Sequence, residues 1–129
     1  MAVPWFAPEV GSDTATKLLD GGFRLTAPDL MAAEAANAWW KKAGRGFLAP
    51  ADVVEAVRRL FAVGVEWIPT APLVPRATRL ALEVHHPVYD CIYIVLAREL
   101  GLPLATSDER LRRAARATET LLLPVKGRS

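Results

Sequence analysis

The apolar and polar positions along the chain divide it into short strands and longer amphipathic helices. SDTATKLLDGG, residues 12–22, has a helix start at Ser12 or Asp13 and a double-glycine stop. FRLTAP (23–28) alternates Phe23, Leu25 and Ala27 with Arg24 and Thr26, the period of a strand. Pro28 and Asp29 then open a helix, DLMAAEAANAWWKKAGRG, with Leu30, Ala33, Asn37 and Trp40 near one stripe and Gly44 and Gly46 at its close. ADVVEAVRRLFAVG (51–64) predicts a second helix with Val53, Ala56, Val57, Leu60 and Phe61 on its apolar face and Gly64 as its stop. VEWIPT (65–70) reads as a strand, and a further helix runs from about Leu73 to His85. Pro87 starts the helix VYDCIYIVLARELG, apolar on nearly every side and ended by Gly101. LPLAT (102–106) is a nearly all-apolar strand, as expected when both faces of a parallel sheet are covered. DERLRRAARA forms a last helix, and TLLLPVK (120–126) a last strand.

Strands that alternate with helices predict an α/β domain with a mainly parallel sheet. The 129 residues suit a single domain, with no internal repeat, low-complexity tract or linker. In such sheets sites form beyond the carboxyl ends of the strands. That rule singles out APD (27–29) and ATSDERL (105–111).

Composition narrows the class. Apolar residues make up 52% and charged residues 23%, a globular balance. The single cysteine, Cys91, sits in CIYIVLA; it cannot form an internal disulfide and is expected to be a small buried hydrophobe. No apolar run is long enough for a membrane span, and MAVPWFAP lacks the cationic leader of a signal peptide, so the expected location is the cytoplasm. The net charge is +2, but arginine is concentrated at 58–60, 75–79 and 109–116. Such clusters form either solvated helix faces or a phosphate-binding surface.

Three acids sit where the pattern is unfriendly to charge. Glu34 lies among alanines in LMAAEAANAWW, Asp90 lies in the all-apolar helix VYDCIYIVLA, and Asp108 directly follows the buried strand. Each has a structural explanation taken singly. Asp90 suits the positive end of a helix dipole, Asp108 or Ser107 suits an N-cap, and Glu34 suits a solvated surface. Together they point to more, because a buried carboxylate must be paired or bind a cation. Mg²⁺ and Mn²⁺ prefer clustered carboxylate oxygens. The adjacent His85 and His86 point about 100° apart on a helix and do not suit a two-histidine metal motif. Cys91 lacks an obvious base, and there is no GxGxxG or Walker loop.

PDLMAAEAANAWWKK (28–42), HPVYDCIYIVLARELGLPLATSDERLRRAA (86–115) and PWFAPE (4–9) together resemble the PIN-domain family, specifically its VapC-type toxins. The most specific part is PVYDCIYIVLA followed by PLATSDERL. The resemblance implies a three-layer α/β/α sandwich with a mainly parallel sheet, and a ribonuclease dependent on Mg²⁺ or Mn²⁺. It also implies RNA as substrate, a VapB-like antitoxin as partner and a homodimer as assembly. By position, Glu34, Asp90 and Asp108 match the family's second, third and fourth acids, which bind metal and carry catalysis. Thr106 matches the hydroxyl residue that supports the site, and Asn37 a frequent polar neighbour. Arg110, Arg112, Arg113 and Arg116 would guide the RNA backbone or face the antitoxin. The aromatic and aliphatic residues of the helices at 28–43 and 51–63 would form the antitoxin groove.

The first acid has no counterpart. Family members begin with a short apolar strand ending in aspartate and followed by A-S-V-A-V-x-W-F, whereas this chain begins M-A-V-P-W-F. The expectation is therefore a central first strand and its aspartate upstream of residue 1, with PWFAPE a linker rather than a strand. Two explanations stand beside each other: a start assigned late, or a degenerate toxin that only binds antitoxin or RNA.

Overall fold

The structure, a computed structural model, describes residues 4–5, 24–104, 106, 109–120 and 122. The predicted helix at 12–22 and most of the predicted strand at 120–126 lie outside the described residues, as does Asp108. The remaining elements follow the predicted alternation. Strand β1 is Pro4–Trp5, β2 is Arg24–Pro28 and β3 is Glu66–Ile68. Helix α1 is Leu30–Gly44, α2 is Pro50–Ala62, α3 is Val74–Val84, α4 is Val88–Leu100 and α5 is Glu109–Ala117.

The sheet is parallel, in the order β1-β2-β3. Thr26, Ala27 and Pro28 lie opposite Glu66, Trp67 and Ile68. Leu25, Thr26, Ala27 and Pro28 are all buried, although successive strand residues point to opposite faces. Both faces of β2 are therefore covered, as a layered α/β fold requires. Leu104 makes a further parallel bridge to Leu122, so of the apolar LPLAT run Leu104 alone bridges a neighbour among the described residues.

The opening segment departs from the expectation. Pro4 pairs with Arg24 and Trp5 with Leu25, so a strand stands where a linker is predicted. The cause is the row of N–H and C=O groups along this edge of β2, which needs hydrogen-bond partners. β1 supplies them over two residues.

The buried stripe of α1 also differs from the predicted one. Met31, Ala35 and Trp39 are buried, at helical spacing, whereas Ala33, Asn37 and Trp40 are exposed. The adjacent tryptophans point about 100° apart, and the core has taken Trp39. In α2 only Leu60 is fully buried, while Phe61 stays half outside and packs its ring 5.4 Å from that of Trp67. Helix α4 matches its expectation along its middle, where Cys91, Ile92, Tyr93, Ile94, Leu96 and Ala97 are all buried, while Tyr89 and Leu100 near its ends are exposed. It stops at Gly101, whose φ of 66° suits glycine, and Leu102 N–H closes the end on Ala97 O at 2.9 Å.

At the carboxyl ends of β2 and β3 a side-chain lock joins the two turns. Asp29 makes no capping bond within its own helix. Its Oδ1 accepts from Thr70 N at 3.1 Å and from Thr70 Oγ1 at 2.6 Å. Thr70 Oγ1 in turn accepts from Leu30 N at 2.9 Å, and Asp29 N donates to Ile68 O at 2.8 Å. The hydroxyl of Thr70 thus caps α1 from the neighbouring strand's exit, in the short 3₁₀ turn that precedes α3. Replacing Thr70 by Val removes the hydroxyl and keeps the shape. The expected loss is about 1–2 kcal/mol of stability in urea denaturation, with Thr70→Ser retaining most of it.

Candidate active site

Two of the three predicted acids come together. Glu34 lies on α1 and Asp90 on α4, 56 positions apart in the chain, yet Asp90 raises the pKa of Glu34 through its charge. Asp90 is 5% exposed, and Glu34 is half-buried. Both acids sit early in their helices: Asp90 is in the first turn of α4, where the helix dipole favours a negative charge. Asp108 lies outside the described residues, and among these no group of three His, Cys, Asp or Glu side chains gathers.

Tyr93 connects the two helices. It follows Asp90 by three residues and so shares its face of α4. Its hydroxyl donates to Glu34 Oε1. Burial, reinforced by this bond and by the charges of Glu34 and Asp90, pushes the Tyr93 hydroxyl far above its ordinary range. Tyr93 therefore remains a donor at every working pH. For Glu34 burial is the largest influence and raises its pKa; Tyr93 pulls it down, Asp90 raises it again and Arg110 lowers it. The net direction is upward.

Arg110 pairs with one of these acids. Its Nε donates to Asp90 Oδ2 at 3.0 Å, and a terminal guanidinium nitrogen donates to Asp90 Oδ1 at 3.3 Å. It is a partner of the kind that a buried carboxylate requires, and its side chain stays 55% exposed. Arg112 donates to the Thr106 carbonyl at 3.0 Å, bracing the strand exit. Arg116 pairs with Glu109 at 3.1 Å on the outer side, and Arg113 is exposed. Thr106 is buried, and Asn37 is exposed one turn beyond Glu34.

Sequence reasoning missed Tyr93 and the role of Arg110. The signal for Tyr93 was available, since a tyrosine on an all-buried helix needs a partner for its hydroxyl. Arg110 offered no such signal, because the pairing spans 20 positions. Cys91 behaves as predicted: it is buried, and burial, helped by the Asp90 charge, pushes its thiol up to about 11. Such a thiol is inert.

A model of the family described as "PIN domain" matches residues 1–117. The chain belongs to the PIN-domain family. Among curated proteins it is similar to Ribonuclease VapC3 of Pyrobaculum aerophilum, with 32% identity over 108 residues that cover 82% of each chain. Among solved structures it is similar to the crystal structure of PAE2754 from Pyrobaculum aerophilum, with a TM-score of 0.70 and 26% identity. That likeness covers 88% of this chain and 86% of the other. PIN-domain nucleases generally use divalent metals. The residues here fit such an ion by their donor chemistry: two carboxylates of like charge brought within electrostatic reach, with oxygen donors of the kind hard divalent cations take. No described helix is long and apolar enough to cross a membrane.

The pKa of Glu34 makes a prediction about stability. The folded chain holds this proton more tightly than the unfolded chain, whose value is near 4.5. The contribution of Glu34 to stability is full below that value and is lost as pH rises through the higher folded value. Glu34→Gln escapes this loss. In urea denaturation its stability relative to the parent protein should rise between about pH 4 and pH 7. A constant difference across that range would show that Glu34 is not perturbed.

Proposed function

We propose that this PIN-domain protein is a metal-dependent endoribonuclease of the VapC type, neutralised by a protein antitoxin. The observation that carries the reading is the meeting of Glu34 and Asp90 from separate helices, in a chain similar to a protein named as a ribonuclease. Mg²⁺ or Mn²⁺, when bound, supplies positive charge for the phosphodiester and activation of the attacking water. Glu34 and Asp90 would hold the ion through carboxylate oxygens, and Asp108 is the further acid that the family resemblance adds. Tyr93 fixes the orientation of the Glu34 carboxylate, so its donor oxygens face one direction. Thr106 supports the strand exit that leads into Asp108, and Asn37 stands on the exposed side of α1, where substrate arrives. Arg113 and Arg116, on the outer side of α5, meet the RNA backbone.

The antitoxin reading rests on a separate observation. Trp40, Phe47, Val54 and Phe61, on α1, α2 and the turn between them, are exposed by 58–73%. Isolated exposed apolar residues are ordinary. Four large ones on one helical hairpin suit the apolar face of a partner helix.

Purified protein incubated with total cellular RNA should cleave it in the presence of Mn²⁺ and not in EDTA. Asp90→Asn should lower the rate by about a hundredfold or more, the loss of a few kcal/mol of transition-state stabilisation. A protein that cleaves no RNA with either metal would contradict the enzyme reading. Trp40→Glu with Phe61→Glu should release the antitoxin in a pull-down and leave cleavage unchanged, since neither residue touches the acids.

A further inference from the structure

Arg110 occupies an unfavourable place for its own helix. It is the second residue of α5, where the helix dipole is positive and disfavours a cation. There it makes a two-pronged contact with Asp90, at 3.0 and 3.3 Å. The pair is unequal in its surroundings: the Asp90 side chain is 7% exposed and that of Arg110 is 55% exposed. The carboxylate is fixed in the core, while the guanidinium reaches it from the solvent side. The same guanidinium acts on Glu34 and lowers its pKa. One cation thus serves both acids of the site.

We infer that Arg110 is the resident counter-cation of the acid site and that it gives up Asp90 when a divalent ion binds. The inference rests on the reading of Glu34 and Asp90 as a divalent-ion site. Three facts support it. A divalent ion on Asp90 would share the two oxygens that Arg110 now contacts. An ion and a guanidinium on one carboxylate repel each other. The exposure of Arg110 gives its long side chain an open route outward. Arg110 therefore holds the Asp90 carboxylate in place in the metal-free protein, and it sets the metal affinity by competition. It is a positioning residue for Asp90, and its cost to metal binding is the counterpart of the stability that it gives the empty site.

The test is Mn²⁺ binding to the whole chain, followed by the electron paramagnetic resonance of free Mn²⁺, for the parent protein, Arg110→Gln, Arg110→Lys and Asp90→Asn. Arg110→Gln should bind Mn²⁺ about tenfold more tightly than the parent, because the competing cation is gone. Arg110→Lys keeps the charge without the fork and should fall between them. The metal-free Arg110→Gln protein should melt at a lower temperature than the parent, and Mn²⁺ should raise its melting temperature by more. A variant that folds only when Mn²⁺ is added supports the inference equally. In the parent protein, the Arg110 Nε–H resonance should be protected from solvent exchange without metal and lose that protection as Mg²⁺ is added. Parent and Arg110→Gln binding Mn²⁺ with equal affinity, both through Asp90, would overturn the inference and leave the metal site standing. An Nε–H that stays protected at saturating Mg²⁺ would overturn it as well, whether or not the variants fold. Absence of Mn²⁺ binding in the parent and in every variant would overturn the metal reading and the inference together.

Discussion

The arrangement of this molecule turns on one buried charge. Asp90 sits on α4, a helix whose remaining buried residues are Cys91, Ile92, Tyr93, Ile94, Leu96 and Ala97. Burial of an isolated carboxylate is far more costly than burial of any of these neighbours gains. The fold must therefore bring a cation to that point, and α5 is placed so that Arg110 does so. The contact ties the start of α5 to the start of α4. Breaking it by removal of the arginine leaves a buried charge uncompensated, which is the strongly destabilising case.

Around this pair the other elements arrange the second acid. The parallel sheet directs β2 into α1, and the Asp29–Thr70 lock sets where α1 begins. Met31, Ala35 and Trp39 then fix the rotation of α1 by burying one stripe. With that stripe inward, Glu34 lies near enough to α4 for the Tyr93 hydroxyl to reach it. Burial first, and then the like charge of Asp90, disfavours the ionised form of Glu34, which is why its pKa is raised. Such opposition is common where a fold stores the means to bind a cation.

Much of this was legible in the sequence. The alternation of elements, the burial of the middle of α4 and the oddness of Glu34 and Asp90 all follow from pattern alone. What pattern could not give was the choice between near-equivalent faces. Trp39 and Trp40 are equally apolar, and only tertiary packing selects Trp39 for the core. Nor could it give Arg110. Its neighbours in ERLRRAARA read as a solvated arginine face, yet Arg110 meets a charge 20 positions earlier and Arg112 a backbone carbonyl. The pairing of Pro4–Trp5 with β2 was missed for a related reason: proline breaks the strand pattern of this segment, and the pairing is set by the sheet edge it meets.

The central claim is that Glu34 and Asp90 form one cation site. A crystal soaked in Mn²⁺ and measured for anomalous scattering tests it most directly. The account predicts a peak within coordination distance of carboxylate oxygens from both Glu34 and Asp90, with the Arg110 guanidinium turned away from Asp90. A peak elsewhere, or none, with Arg110 still on Asp90, would contradict it.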